Sequence, residues 1–123
     1  MSGGSKKRIL AVDNALMFLN SLKKYLANTP YDLHCESSGQ AALAFLDNNS
    51  VDLILLDVEM PEISGYELAS KIKQRGIKAP IIIISANTDK EDIEKAEAAG
   101  AAGFLGKPFR PSQLIDKIKE YIK

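Results

Sequence analysis

Short apolar runs alternate along this chain with longer segments of helical period, and few folds satisfy that alternation. The runs are Ile9-Leu10-Ala11-Val12, Leu33 to Cys35, Leu53-Ile54-Leu55-Leu56, Ile81-Ile82-Ile83-Ile84 and the brief Phe104-Leu105. Strands joined through helices lie parallel in one sheet, so five such pairs predict an α/β domain. The 123 residues suffice for one core and are too few for a two-domain enzyme. Four of the runs are apolar without alternation, the pattern of strands covered on both faces. In Tyr31 to Glu36, by contrast, Leu33 and Cys35 alternate with Asp32, His34 and Glu36. That pattern predicts a strand with one wet face at the sheet margin, with His34 as a surface histidine and Cys35 as a small buried hydrophobe.

Between the runs, Ala15, Leu19, Leu22, Tyr25 and Leu26 share one helical stripe. Leu68, Ala69 and Ile72 share another, and Leu114, Ile115, Ile118, Tyr121 and Ile122 a third. The segments Ser64-Gly-Tyr-Glu67 and Thr88-Asp-Lys-Glu91 fit the capping box, in which a hydroxyl and a carboxylate satisfy free amides at a helix start. Pro111 suits the first turn of the last helix, and Gly76 and Gly100 suit the ends of the third and fourth. The fourth helix is the weakest, since Ile93, Ala96 and Ala99 offer a thin apolar face. Ala98 to Gly103 reads as a helix end and turn.

A marginal second strand fits the doubly wound order 2-1-3-4-5, a flavodoxin-like five-stranded parallel sheet with five helices, whereas the order 3-2-1-4-5-6 needs a sixth strand. Ligands of such sheets bind beyond the carboxyl ends of the strands. The polar residues there are Asp13, Asp57, Ser85 and Lys107. Two converging carboxylates suit a hard cation such as Mg2+, and a lysine and a hydroxyl facing them suit an incoming phosphoryl group. A lone carboxylate after a strand is commonly a helix cap, so it is the set of four that points to function.

Composition removes other classes. Sixteen Lys and Arg balance sixteen Asp and Glu, so no basic field exists to hold a nucleic acid or an anionic membrane directly. No apolar run approaches the length that spans a bilayer. The single cysteine cannot form an internal disulfide, and no secretory signal opens the chain, so a cytoplasmic location is expected. Residues 1–5, Met-Ser-Gly-Gly-Ser, read as a flexible leader or an expression remnant ahead of a domain over 6–123.

The segments Ile9-Leu-Ala-Val-Asp13-Asn14, Val51 to Gly65 with Asp57 and Met60-Pro61, Ile81 to Ala86, and Gly103-Phe-Leu-Gly-Lys107-Pro108-Phe109 resemble the receiver domain of two-component response regulators. The resemblance implies that Asp57 accepts a phosphoryl group from a sensor histidine kinase or a phosphotransfer protein. It implies that Asp13, Asp57 and the Glu59 backbone carbonyl ligate Mg2+. Lys107 would pair with the phosphoryl group, joined by the Ser85 hydroxyl and the Ala86 backbone amide. Ser85 and Phe104 would form the switch, the Lys107-Pro108 peptide would be cis, and the face of the fourth helix, fifth strand and fifth helix would change for a downstream effector or a fused output domain. The only chemistry expected is the domain's own phosphorylation and dephosphorylation. Homodimerisation through the fourth and fifth helices is left open.

The sequence departs from the family at three positions, of which Ser85 in place of the common threonine keeps the hydroxyl and is expected to be neutral. Family members usually carry a second acidic residue after the first strand, where Asn14 stands here; it can still orient a metal-bound water, at the cost of weaker Mg2+ binding. Phe104 lacks the hydroxyl of the usual tyrosine. Glu59 is read either as reaching the outer coordination shell or the attacking water, or as a solvated loop carboxylate. Met17 and Phe18 are read either as partner contacts or as core or boundary residues of the first helix. Two rivals remain: a pseudo-receiver serving as a phosphorylation-independent interaction module, and a haloacid dehalogenase-like phosphatase, against which Pro61 and the short chain count. No glycine-rich loop follows the first strand, which counts against a nucleotide-binding domain.

Overall fold

The computed structural model describes residues 6–122, so the leader proposed for residues 1–5 lies outside the described residues. The elements are β1 (Lys7–Val12), α1 (Leu16–Tyr25), β2 (Tyr31–Glu36), α2 (Gly39–Asn48), β3 (Leu53–Asp57), α3 (Gly65–Gln74), β4 (Ile81–Ser85), α4 (Lys90–Ala98), β5 (Gly103–Gly106) and α5 (Pro111–Lys119). All pairings are parallel, in the order β2-β1-β3-β4-β5. The doubly wound arrangement expected from the marginal second strand is therefore present.

Side-chain alternation inside each apolar run feeds two separate cores. Leu10, Val12, Ile54, Leu56, Ile81 and Ile83 face one way, onto Ala42 and Leu46 of α2, Leu68 and Ile72 of α3 and Ala96 of α4. Ile9, Ala11, Leu53, Leu55, Ile82 and Ile84 face the other way, onto Leu19 and Leu22 of α1 and Leu114 and Ile118 of α5. Each fully buried Leu or Ile stabilises the fold by about 1.5–3 kcal/mol, which makes the three central strands its anchor. β5 does not share that coverage. It is the opposite edge of the sheet and its residues are only half-buried, unlike the double burial expected of an unalternating run.

Helix boundaries follow their capping chemistry. The Ser64 hydroxyl accepts from the Glu67 N–H at 3.1 Å and starts α3, forming the hydroxyl half of the expected box. Thr88 does not cap α4; Asp89 is the N-cap, and Glu91 and Asp92 in the first turn favour the positive end of the helix. Gly76 and Gly100 have φ of +78° and +96°, the left-handed conformation that ends α3 and α4. Pro111 opens α5, whose regular part ends at Lys119, so Tyr121 and Ile122 follow it in a closing turn. Ala15 is the N-cap of α1 and not a member of its stripe. Two residues of β2 differ from expectation. His34 is half-buried, stacked on Phe45 at 3.9 Å and bonded to Glu36, because α2 covers that face; Cys35 is only half-buried, because the edge leaves it partly open.

Candidate functional site

Parallel strands bring their carboxyl ends to one edge, and the register sets the depth of each side chain there. Val12 pairs with Leu56, Asp57 with Ile84, and Ser85 with Gly106, so the ends step across the sheet. Asp57 and Ser85 are the last residues of their strands, while Asp13 and Lys107 follow β1 and β5 directly. Asp13, Asp57 and Ser85 are 2%, 6% and 2% exposed, and they are the buried polar residues of the domain among the described residues.

Three of the four strand-end residues meet. Lys107 Nζ donates to Asp57 Oδ1 at 3.0 Å and lies 3.5 Å from Asp13 Oδ2. The other oxygen of Asp13 accepts from the Ala15 N–H at 2.8 Å, tying the carboxylate to the start of α1. Burial pushes the Asp57 carboxyl above its ordinary pKa; the Lys107 hydrogen bond opposes this, and the charges of Asp13 and, last, Glu59 add to it. Two carboxylates share one ammonium, so the site carries an excess negative charge in a poorly solvated place. Among the described residues no cluster of three or more His, Cys, Asp or Glu is placed to hold a metal. A pair of buried carboxylates, Asp13 and Asp57, with Asp13 Oδ2 and Asp57 Oδ1 both within reach of one cationic group, suits Mg2+, which binds through one or two carboxylates and keeps much of its hydration. The residues present fit that ion.

Ser85 lies beside this group, but its hydroxyl accepts from the Asn87 N–H at 3.0 Å and so faces the β4–α4 loop. Ala86, Asn14 and Glu59 are exposed around the rim. The Lys107-Pro108 peptide is cis, as expected, and the Lys107 N–H donates to the Ser85 carbonyl at 2.8 Å. Phe104 is half-buried against the α2–α4 core and lines a cavity of about 200 Å3 with Ile93, Ala96 and Glu97 of α4. Met17 is 85% exposed, whereas Phe18 is half-buried in an aromatic group with Phe109 and Tyr25.

Two features went unread in the sequence. Gly65 abuts the Asp57 backbone: a Cβ there would run into the Asp57 carbonyl oxygen and come within 2.9 Å of Val58 Cα. Its N–H also donates to the Val58 carbonyl at 2.9 Å, closing the β3–α3 loop. The motif contained this glycine, but its contact is tertiary. The second is the Phe18 ring, whose centroid lies 4.2 Å from Lys107 Nζ.

A family profile for the response regulator receiver domain matches residues 9–119, nearly the whole sheet and its helices. The chain belongs to that family. The receiver domain is 29% identical to response regulator SaeR of Staphylococcus aureus over 114 residues, covering 93% of this chain and 50% of SaeR. It thus spans about half the length of the curated relatives it matches. Chemotaxis protein CheY4 of Vibrio cholerae superposes with a TM-score of 0.91 at 27% identity, covering 95% of this chain and 99% of that one. The receiver domain of a sensor histidine kinase from Pseudomonas aeruginosa superposes at 0.86 with 26% identity, covering 95% and 98%; that structure has a magnesium ion coordinated in its active-site cleft. The fold is the CheY-like member of the flavodoxin-like class. No helix among the described residues is long and apolar enough to cross a membrane.

Proposed function

We propose that this receiver domain is a phosphorylation-activated switch in which Asp57 is the phosphoacceptor. A carboxylate oxygen of Asp57 forms a bond to phosphorus as the phosphorus–nitrogen bond to a phosphohistidine breaks, the donor being a sensor histidine kinase or a phosphotransfer protein. The observation that carries the reading is the 3.0 Å contact between Lys107 Nζ and Asp57 Oδ1, with Asp13 Oδ2 at 3.5 Å from the same ammonium. Burial favours the neutral acid, but a nucleophile must be ionised, and Lys107 supplies the opposing charge.

Mg2+ would be held by Asp13, Asp57 and the Glu59 carbonyl, with Asn14 acting through a water. When bound, the ion neutralises charge on the transferring phosphoryl oxygens. Lys107 then follows the phosphoryl group, the Ser85 hydroxyl leaves the Asn87 N–H to donate to a phosphoryl oxygen, and the exposed Ala86 amide adds a second donor. The acyl phosphate carries nearly two negative charges where the carboxylate carried one. Movement of Ser85 and of the Phe104 ring carries this change to the face of α4, β5 and α5, which a downstream effector or a fused output domain reads. Hydrolysis of the acyl phosphate resets the switch, and no other substrate is turned over. The domain so described runs over 6–123 and works in the cytoplasm.

Incubation with Mg2+ and acetyl phosphate tests this. The parent chain gains one phosphoryl mass and Asp57→Asn gains none. A parent chain that stays unmodified under conditions that modify other receiver domains would make it a pseudo-receiver.

A further inference from the structure

Lys107 is held from two sides. Its ammonium meets Asp57 Oδ1 and Asp13 Oδ2 on one side, and on the other it stands 4.2 Å from the centroid of the Phe18 ring. The aromatic face is negative and attracts a cation, the more so where water is scarce, and the lysine side chain is only 26% exposed. The ring is itself braced: Phe109 meets Phe18 edge to face at 5.9 Å and 83°, and Tyr25 meets Phe109 at 6.4 Å and 76°. Its backbone belongs to the turn that Asp13 orders, for the Ala15 N–H donates to Asp13 Oδ1 and the Phe18 N–H donates to the Ala15 carbonyl at 3.0 Å.

A lysine needs such a brace. Its four-carbon stem has large rotamer freedom, and its charge has no directional fork to fix it. Once Asp57 is phosphorylated, that carboxylate loses its full charge, and the ammonium must shift toward the new phosphoryl oxygens without escaping to water. The ring contact does not depend on the ionisation of Asp57. We propose that Phe18 is a positioning residue for Lys107, its ring face retaining the ammonium at the mouth of the site while Asp57 passes from carboxylate to acyl phosphate. The proposal rests on the phosphoacceptor reading for its consequence, but not for its geometry.

The test therefore has two arms on the full chain. In the proton spectrum of the unphosphorylated parent, the Lys107 side-chain methylene protons next to Nζ are shifted upfield by the ring; Phe18→Leu abolishes the shift and Phe18→Tyr keeps it. With Mg2+ and acetyl phosphate, Phe18→Leu is phosphorylated roughly two- to fivefold more slowly than the parent, the scale of a lost cation–π contact, and Phe18→Tyr restores the rate. A purely structural role would show as a matching loss of thermal stability with no rescue by tyrosine. Absence of the upfield shift in the parent, or equal rates for the parent and Phe18→Leu, would overturn the proposal. A parent that shows the shift but takes no phosphoryl group upholds the lysine–ring contact and contradicts the phosphoacceptor reading instead.

Discussion

The ammonium of Lys107 stands 3.0 Å from Oδ1 of Asp57, reaching from the end of β5 to the end of β3 across the intervening β4. Two edges of information meet in that contact: a lysine carried by a half-buried edge strand, and a carboxylate carried by a strand buried on both faces. The rest of the site is arranged around it.

Lys107→Met leaves two buried carboxylates without their cation. The expected cost is about 1–3 kcal/mol at pH 7, read by urea denaturation without divalent ions. The deficit shrinks at acid pH, where protonation of Asp57, whose pKa burial already raises, removes part of the uncompensated charge. An equal deficit at both pH values would contradict this account of the pair.

Asp57→Asn works in the opposite direction. Burial raises the folded-state pKa of Asp57, so the folded chain binds that proton more tightly than the unfolded chain. Stability from this group is fully present below the unfolded carboxylate value, falls as pH rises through it, and levels off above the folded value with a lasting penalty. The neutral amide avoids the penalty and can still accept from Lys107. Thermal melts at pH 7 without Mg2+ should therefore place Asp57→Asn a few degrees above the parent, with the gap closing toward pH 3. A variant less stable than its parent at pH 7 would show that Lys107 more than offsets the burial.

Gly65→Ala tests how tightly α3 is set against Asp57. The added methyl meets backbone atoms of Asp57 and Val58, which cannot swing aside as a side chain can. A loss of about 1–3 kcal/mol is expected, together with slower phosphorylation. Gly76→Ala is the control: its Cβ meets nothing within 4 Å, and its φ of +78° alone costs about 1–2 kcal/mol without touching the site. Phosphorylation slowed equally by both would point to general destabilisation.

Much of this was legible in the residues themselves, and the exceptions share a cause. The order of the sheet could be read because Tyr31 to Glu36 alternates while Ile81 to Ile84 does not, and burial enforces that contrast directly. Asp13, Asp57 and Lys107 could be found because a doubly wound sheet places every strand's carboxyl end on one edge. The start of α4 was misread because Thr88 and Asp89 are both competent caps, and only tertiary placement chooses between them. Burial of His34 depends on Phe45 of α2, and the role of Phe18 on Lys107, far along the chain. Contacts between distant elements leave no local periodicity to read.

Asn14→Asp restores the acidic residue that the family usually carries after β1. Position 14 is exposed beside buried Asp13, so a third carboxylate adds charge without a large desolvation cost. Mg2+ affinity, followed by titration, should tighten several-fold. Equal or weaker binding would mean that Asn14 is not near the ion.

The most direct measurement is where the phosphoryl group sits. After incubation with Mg2+ and acetyl phosphate, digestion and peptide mass analysis should place a single phosphoryl group on Asp57, with none on Asp13, and Lys107→Met should lower its yield. A phosphoryl group found on another residue, or on Asp57 with undiminished yield in Lys107→Met, would contradict the site described here.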